Sequence, residues 1–205
     1  MKKVGLFGGT FDPIHNGHMS IAYEALYRLC LHEVIFIPAG NPPHKSRNLI
    51  TESGIRYDMV KAAVKDESKF TVSDYEIKKE SRSYTYETIE YFKKSTSDLQ
   101  LHLIIGEDSF FDIEKWANAQ YILRNCTVVV FGRNEINYIK MSEHRKHIMD
   151  KYNSNILLLE TPILEISSTL IREKLNKNEN ISYLVPCGVE EFIRKSQLYK
   201  QNYNL

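Results

Sequence analysis

Two segments far apart in the chain carry residue types that can handle phosphate. The first is Gly8-Gly9-Thr10-Phe11-Asp12-Pro13-Ile14-His15-Asn16-Gly17-His18. Paired glycines let a backbone turn tightly and come close to a ligand. Imidazole can donate a hydrogen bond to a phosphate oxygen whether neutral or charged. A helix starting near Gly17 would aim unpaired amides and its positive dipole end at the same place. The second segment is Ile166-Ser167-Ser168-Thr169-Leu170-Ile171-Arg172. A Ser/Thr helix start offers amides and hydroxyls, and Arg172, one turn in, adds a fixed charge and a donor fork. Each segment also has a plainer reading. His15 and His18 could be half of a metal site or unrelated surface histidines, and Ser167 an ordinary cap followed by a solvated arginine. The opening string is neither a Walker loop nor a Gly-x-Gly-x-x-Gly fingerprint.

Elements must hold these residues. Val4–Phe7, Val34–Ile37, Leu101–Ile105, Thr127–Phe131 and Ile156–Leu159 read as buried strands, and Phe70–Tyr75 alternates more weakly. Between them lie helical stripes, such as Ile21, Ala22, Ala25, Leu26, Leu29 and Cys30, or Ile55, Met59, Val60, Ala63 and Val64. Strands that are apolar throughout, alternating with helices, predict an α/β fold. Its form is a Rossmann-like doubly wound parallel sheet with helices on both faces, in a single domain over 1–205. The glycine loop then falls at the carboxyl end of the first strand, where open α/β sheets bind ligands. Asn41–Ile50 and Asn134–Lys140 read as exposed loops. Ser142 reads as the cap of a helix through Tyr152, and Ser167 or Ser168 as the cap of another through Leu175. A last helix is expected from about Val189 to Tyr199, followed by a frayed end at Lys200–Leu205.

Composition narrows the function. The chain has 205 residues, with 42% hydrophobic and 26% charged, and needs no staples to build a core. Its 27 basic and 26 acidic residues nearly cancel, so bulk charge points to neither nucleic acid nor membrane. No apolar run is long enough to cross a bilayer, and no signal peptide is read at Met1-Lys2-Lys3. The three cysteines, Cys30, Cys126 and Cys187, form no Cys-x-x-Cys. That usage encodes neither a zinc site nor a disulfide framework, and it suits a reducing cytoplasm. Oligomeric state is left open.

The string Gly8 to His18, ending His-x-Gly-His, resembles the signature of the nucleotidyltransferase superfamily related to class I aminoacyl-tRNA synthetases. The fuller pattern is similar to that of the bacterial nicotinate-nucleotide adenylyltransferases. It comprises Pro42-Pro43-His44-Lys45, Ser83-Tyr84-Thr85 with Thr88, Gly106-Glu107-Asp108-Ser109 leading to Trp116, Arg133, and Ile166 to Arg172. These pieces occur in that family's order over nearly the whole chain.

The resemblance implies adenylyl transfer from ATP to nicotinate mononucleotide, with Mg²⁺ arriving on ATP. The implied catalytic residues are His18, His15, Lys45 and Arg172. Gly8, Gly9, Thr10, Phe11, His15, His18, Gly106, Asp108, Ile166, Ser167, Ser168, Thr169 and Arg172 would bind ATP, the part from about 166 to 200 contributing to that site. Thr10, Lys45, Thr85, Trp116 and Arg133 would bind the mononucleotide. Without the resemblance, Lys45 reads equally as a solvated lysine and Trp116 as a core aromatic. Alternative acceptors are nicotinamide mononucleotide and pantetheine phosphate, and a different class is a nucleotide-binding regulator without turnover. Lys140-Met141-Ser142 matches the second synthetase signature poorly, because Glu143 and His144 follow.

Overall fold

The computed structural model describes residues 1–40, 50–79, 81–95, 98–132, 135–160 and 164–199. Among them, six strands form one sheet: β1 (Lys2–Gly9), β2 (Glu33–Pro38), β3 (Phe70–Val72), β4 (Leu99–Gly106), β5 (Thr127–Gly132) and β6 (Asn155–Glu160). The order is β3-β2-β1-β4-β5-β6, and all neighbours run parallel. Two sets of strands thus wind outward from the β1/β4 pair, and the reversal opens a crevice beyond their carboxyl ends.

The strands are apolar because both faces are covered. All six residues of β5 are buried. Val129 and Phe131 face one core, while Val128 and Val130 face the other. The first core is closed by α1 (Asn16–Arg28), α2 (Ser53–Val64), α7 (Ser168–Asn176) and α8 (Cys187–Lys195). The second is closed by α3 (Thr85–Ser95), α4 (Glu107–Phe111), α5 (Ala119–Asn125) and α6 (Glu135–Tyr152). No helix among the described residues is long and apolar enough to cross a membrane.

Several expectations need correction. Helix α6 begins at Glu135, so residues 135–140 are helical rather than loop, and Ser142 lies inside the helix rather than capping it. Six residues are too few to show a helical period by themselves, and an acidic residue such as Glu135 at a helix start complements the dipole. The final helix ends at Lys195, short of the expected Tyr199, and the chain then turns with positive φ at Gln197 and Tyr199. Helices α4 and α5 span five and seven residues, too few to reveal a period in sequence. The expected loop at Asn41–Ile50, apart from Ile50, and the expected frayed end lie outside the described residues.

Candidate active site

The chain leaves β1 at Gly9 and turns through Phe11, whose φ is 51°. The Phe11 ring folds back into the core, with its centroid 5.7 Å from Phe7, 6.0 Å from Phe36 and 5.0 Å from the His18 ring. A Cβ on Gly9 would lie 2.8 Å from that ring, so a larger residue there would have to push the Phe11 ring aside. His15 then caps α1. Its Nδ1 accepts from the His18 amide at 3.4 Å, and His18 Nδ1 accepts from the His15 amide at 3.3 Å. This is a capping box built from two imidazoles in place of Ser and Glu. Each Nδ1 is taken up as an acceptor within the box. Gly17 leaves room for the pair, because a Cβ there would stand 3.1 Å from His15 Nδ1.

Helix α7 is tied to this loop. Ser168 Oγ donates to the Pro13 carbonyl at 2.9 Å across 155 residues of sequence. One Arg172 nitrogen donates to the Asp12 carbonyl at 2.7 Å, and another to Thr169 Oγ1 at 3.4 Å. Ser167 caps α7, accepting from the Leu170 amide at 3.1 Å. Ile166 borders the position a Gly17 Cβ would take, at 3.7 Å. The two phosphate-type segments therefore meet. Part of the hydrogen-bonding capacity of Ser168 and Arg172 holds the loop itself.

Gly106 ends β4 and caps α4, with Asp108 exposed in the first turn of that helix. The β1–β4 register runs to Phe7 opposite Ile104, which brings Gly8, Gly9 and Gly106 to one carboxyl edge. A Cβ on Gly8 or on Gly106 would meet nothing within 4 Å, so space opens over both strand ends. Trp116 lies on the same β4–β5 connection, half-buried against the second core.

Thr85 opens α3, and Glu87 accepts from the Tyr84 amide at 3.3 Å while pairing with Lys79. Thr88 donates to Glu76 at 2.8 Å, and burial pushes the Glu76 carboxyl above its usual range, with that hydrogen bond acting the other way. The Glu76 carbonyl in turn packs against Gly40, just past the end of β2. Lys45 and Arg133 lie outside the described residues.

Reading the sequence missed three residues beside the loop: Asp12, Tyr199 and Arg56. Asp12 is buried, and its carboxylate accepts from the Tyr199 hydroxyl at 2.6 Å and the Thr51 amide at 3.2 Å. Arg56 donates to the Thr10 carbonyl at 2.6 Å. The available signal for Arg56 was a charge at the i−3 and i−4 positions of Met59 and Val60, inside an apolar stripe. Tyr199 lies beyond α8 and follows no period.

The sheet order and the paired phosphate-type segments at its switch point define a nucleotide-binding α/β protein. The cytidylyltransferase-like family model matches residues 6–174. A "Probable nicotinate-nucleotide adenylyltransferase" of Clostridium novyi (strain NT) is 48% identical over 200 residues, covering 98% of this chain and all of that relative. One of the same name from Clostridium kluyveri is 47% identical over 203 residues, again covering 98% of this chain and all of the relative. The structure titled "Plasmodium falciparum nicotinic acid mononucleotide adenylyltransferase complexed with NaAD" superimposes with a TM-score of 0.77. At 21% identity, over 97% of this chain and 98% of that one, it speaks for the fold. The chain belongs to the cytidylyltransferase-like family and, within it, to the nicotinate-nucleotide adenylyltransferases.

Proposed function

We propose that this protein transfers the adenylyl group of Mg²⁺-bound ATP to the phosphate of nicotinate mononucleotide, giving nicotinate adenine dinucleotide and pyrophosphate, a step of NAD biosynthesis. The observation that carries the reading is the tie between the loop after β1 and the start of α7, made by Ser168 on Pro13 and Arg172 on Asp12. It brings the starts of α1 and α7 and the two imidazoles close together, an arrangement suited to a triphosphate.

The nucleophile is a phosphate oxygen, anionic at neutral pH, so the reaction needs no general base. The departing pyrophosphate is likewise stable as an anion. The work is to bring two polyanions together in line and to neutralise charge at the α-phosphorus. Unit charges about 4 Å apart interact by roughly 4 kcal/mol at an effective dielectric of about 20, so a few placed cations and amides suffice. In this reading His15 and His18 donate from Nε2 to ATP phosphates, with His18 stabilising the transition state. Gly8 and Gly9 let the backbone approach, and Thr10 and Phe11 supply donors near the α-phosphate. Ile166 to Thr169 present the amides of the α7 start to the β- and γ-phosphates, joined by Arg172, and this is the contribution of residues 166–200. Gly106 and Asp108 border the adenosine ribose. Mg²⁺ is part of the substrate, held by phosphate oxygens and water. Trp116 stacks on the pyridine ring, Thr85 and nearby amides take the nicotinate carboxylate, Lys45 reaches phosphate, and Arg133 approaches the mononucleotide. The expected setting is the cytoplasm.

Pyrophosphate release from ATP and Mg²⁺ tests this, with nicotinate mononucleotide, nicotinamide mononucleotide and pantetheine phosphate offered separately. The acid mononucleotide should give the highest kcat/KM. Comparable efficiency with the amide would overturn the choice of acceptor. ATP binding without release from any acceptor would favour a regulator.

A further inference from the structure

Arg56 heads the fully buried side chains in size, at 1% exposure, and it stands within the apolar face of α2. Its nitrogens donate to Thr51 O at 2.8 Å, Thr10 O at 2.6 Å, Ala39 O at 2.6 Å and Gly40 O at 3.4 Å. All four acceptors are main-chain carbonyls. Thr10 follows β1, Ala39 and Gly40 follow β2, and Thr51 precedes α2. Taking a guanidinium out of water is costly, and carbonyl dipoles offset only part of that cost. An apolar residue would fill the same stripe without the cost. Burial accordingly pulls the Arg56 proton affinity below its ordinary value, while Asp12 acts in the opposite direction.

What the guanidinium provides is a rigid planar fork that can grip several carbonyls at once. The Thr10 carbonyl belongs to the same planar peptide unit as the Phe11 amide. A bond on that oxygen sets the direction in which the Phe11 N–H points. The other arms hold the end of β2 and the start of α2 at a set distance from that peptide.

We infer that Arg56 is a positioning residue for adenylyl transfer: without touching either substrate, it fixes the Thr10–Phe11 peptide against the end of β2. The inference rests on the function proposed above. A displacement of about 1 Å at a reacting centre can cost roughly a hundredfold in rate.

The test is Arg56→Lys, which keeps the charge and loses the fork. Folded fraction comes from near-UV circular dichroism, and kcat and KM from pyrophosphate release at saturating nicotinate mononucleotide. Per folded molecule, kcat should fall about a hundredfold, with a smaller change in the KM for ATP, since His15, His18 and α7 are untouched. A kcat within about tenfold of the parent's overturns the role, because lost packing alone lowers the folded fraction and not the turnover of what remains folded. If the lysine variant does not fold, a crystal structure of the parent with a non-hydrolysable ATP analogue decides. The fork should stay on Thr10 O and Ala39 O, and release of Thr10 overturns the inference. An inactive parent sinks the functional reading; an active parent with an equally active variant sinks only the role of Arg56.

Discussion

The imidazoles of His15 and His18 are stacked with centroids 3.7 Å apart, each Nδ1 accepting the other residue's main-chain amide. One contact thus starts α1 and sets the two rings against each other just after the β1 loop. Neither ring could do this as an imidazolium, which has no acceptor nitrogen.

We predict that His18→Ala reduces kcat by about 10²- to 10³-fold, the usual loss for one transition-state donor. It should also cost about 1 kcal/mol of stability through the lost cap. ATP affinity, measured by calorimetry, should change far less. An ATP affinity that falls as steeply as the turnover would assign His18 to ground-state binding.

Gly9→Ala should destabilise the fold by roughly 1–3 kcal/mol, the range for overpacking. The new Cβ would press on the Phe11 ring at 2.8 Å, and that ring is itself hemmed in by Phe7, Phe36 and His18. Urea unfolding reads the effect, and activity should fall with it. An unchanged midpoint would mean the loop relaxes freely.

Trp116→Ala should weaken nicotinate mononucleotide binding by tenfold or more, taking roughly 1–3 kcal/mol per stacked base as the guide. ATP binding should be spared. Separate fluorescence-independent titrations of each nucleotide check this, and the reverse pattern would return Trp116 to a purely core role.

Tyr199→Phe should cost about 1.5–3 kcal/mol, the range for a hydrogen bond to a charged group, because the hydroxyl donates to Asp12 at 2.6 Å. Burial first, and then the Asp12 carboxylate, push the Tyr199 pKa above its ordinary 10.0. The raised group stabilises the fold fully below the unfolded value. Above about pH 10 the unfolded chain loses the proton first, so that stability falls as pH rises. Denaturation midpoints at pH 8 and pH 10.5 should therefore show a smaller gap between parent and variant at the higher pH. A constant gap would break the link to this hydroxyl.

Local patterns carried most of the architecture. Apolar runs such as Val128–Val130, buried on both sides, encode a parallel sheet in consecutive residues. Ser167 was readable as the cap of α7 because a cap acts within one turn. The start of α6 was not, since residues 135–140 are too few to show a helical period by themselves, and α4 and α5 are likewise too short. Of the candidate site, His15 and His18 were legible from their place after a strand. Their mutual capping was not, because imidazole is an uncommon cap.

By itself, then, the sequence determined which residues could handle phosphate and that a parallel sheet would carry them at its carboxyl edge, because residue type and period are local properties. Only the tertiary structure decided that Ser168 and Arg172 close onto Pro13 and Asp12, that Tyr199 reaches back to Asp12, and that Arg56 clamps Thr10 to Ala39. The physical reason is that these are bonds between segments far apart in the chain, many of them to main-chain carbonyls. Every residue has such a carbonyl, so no pattern of side chains announces which one will be held.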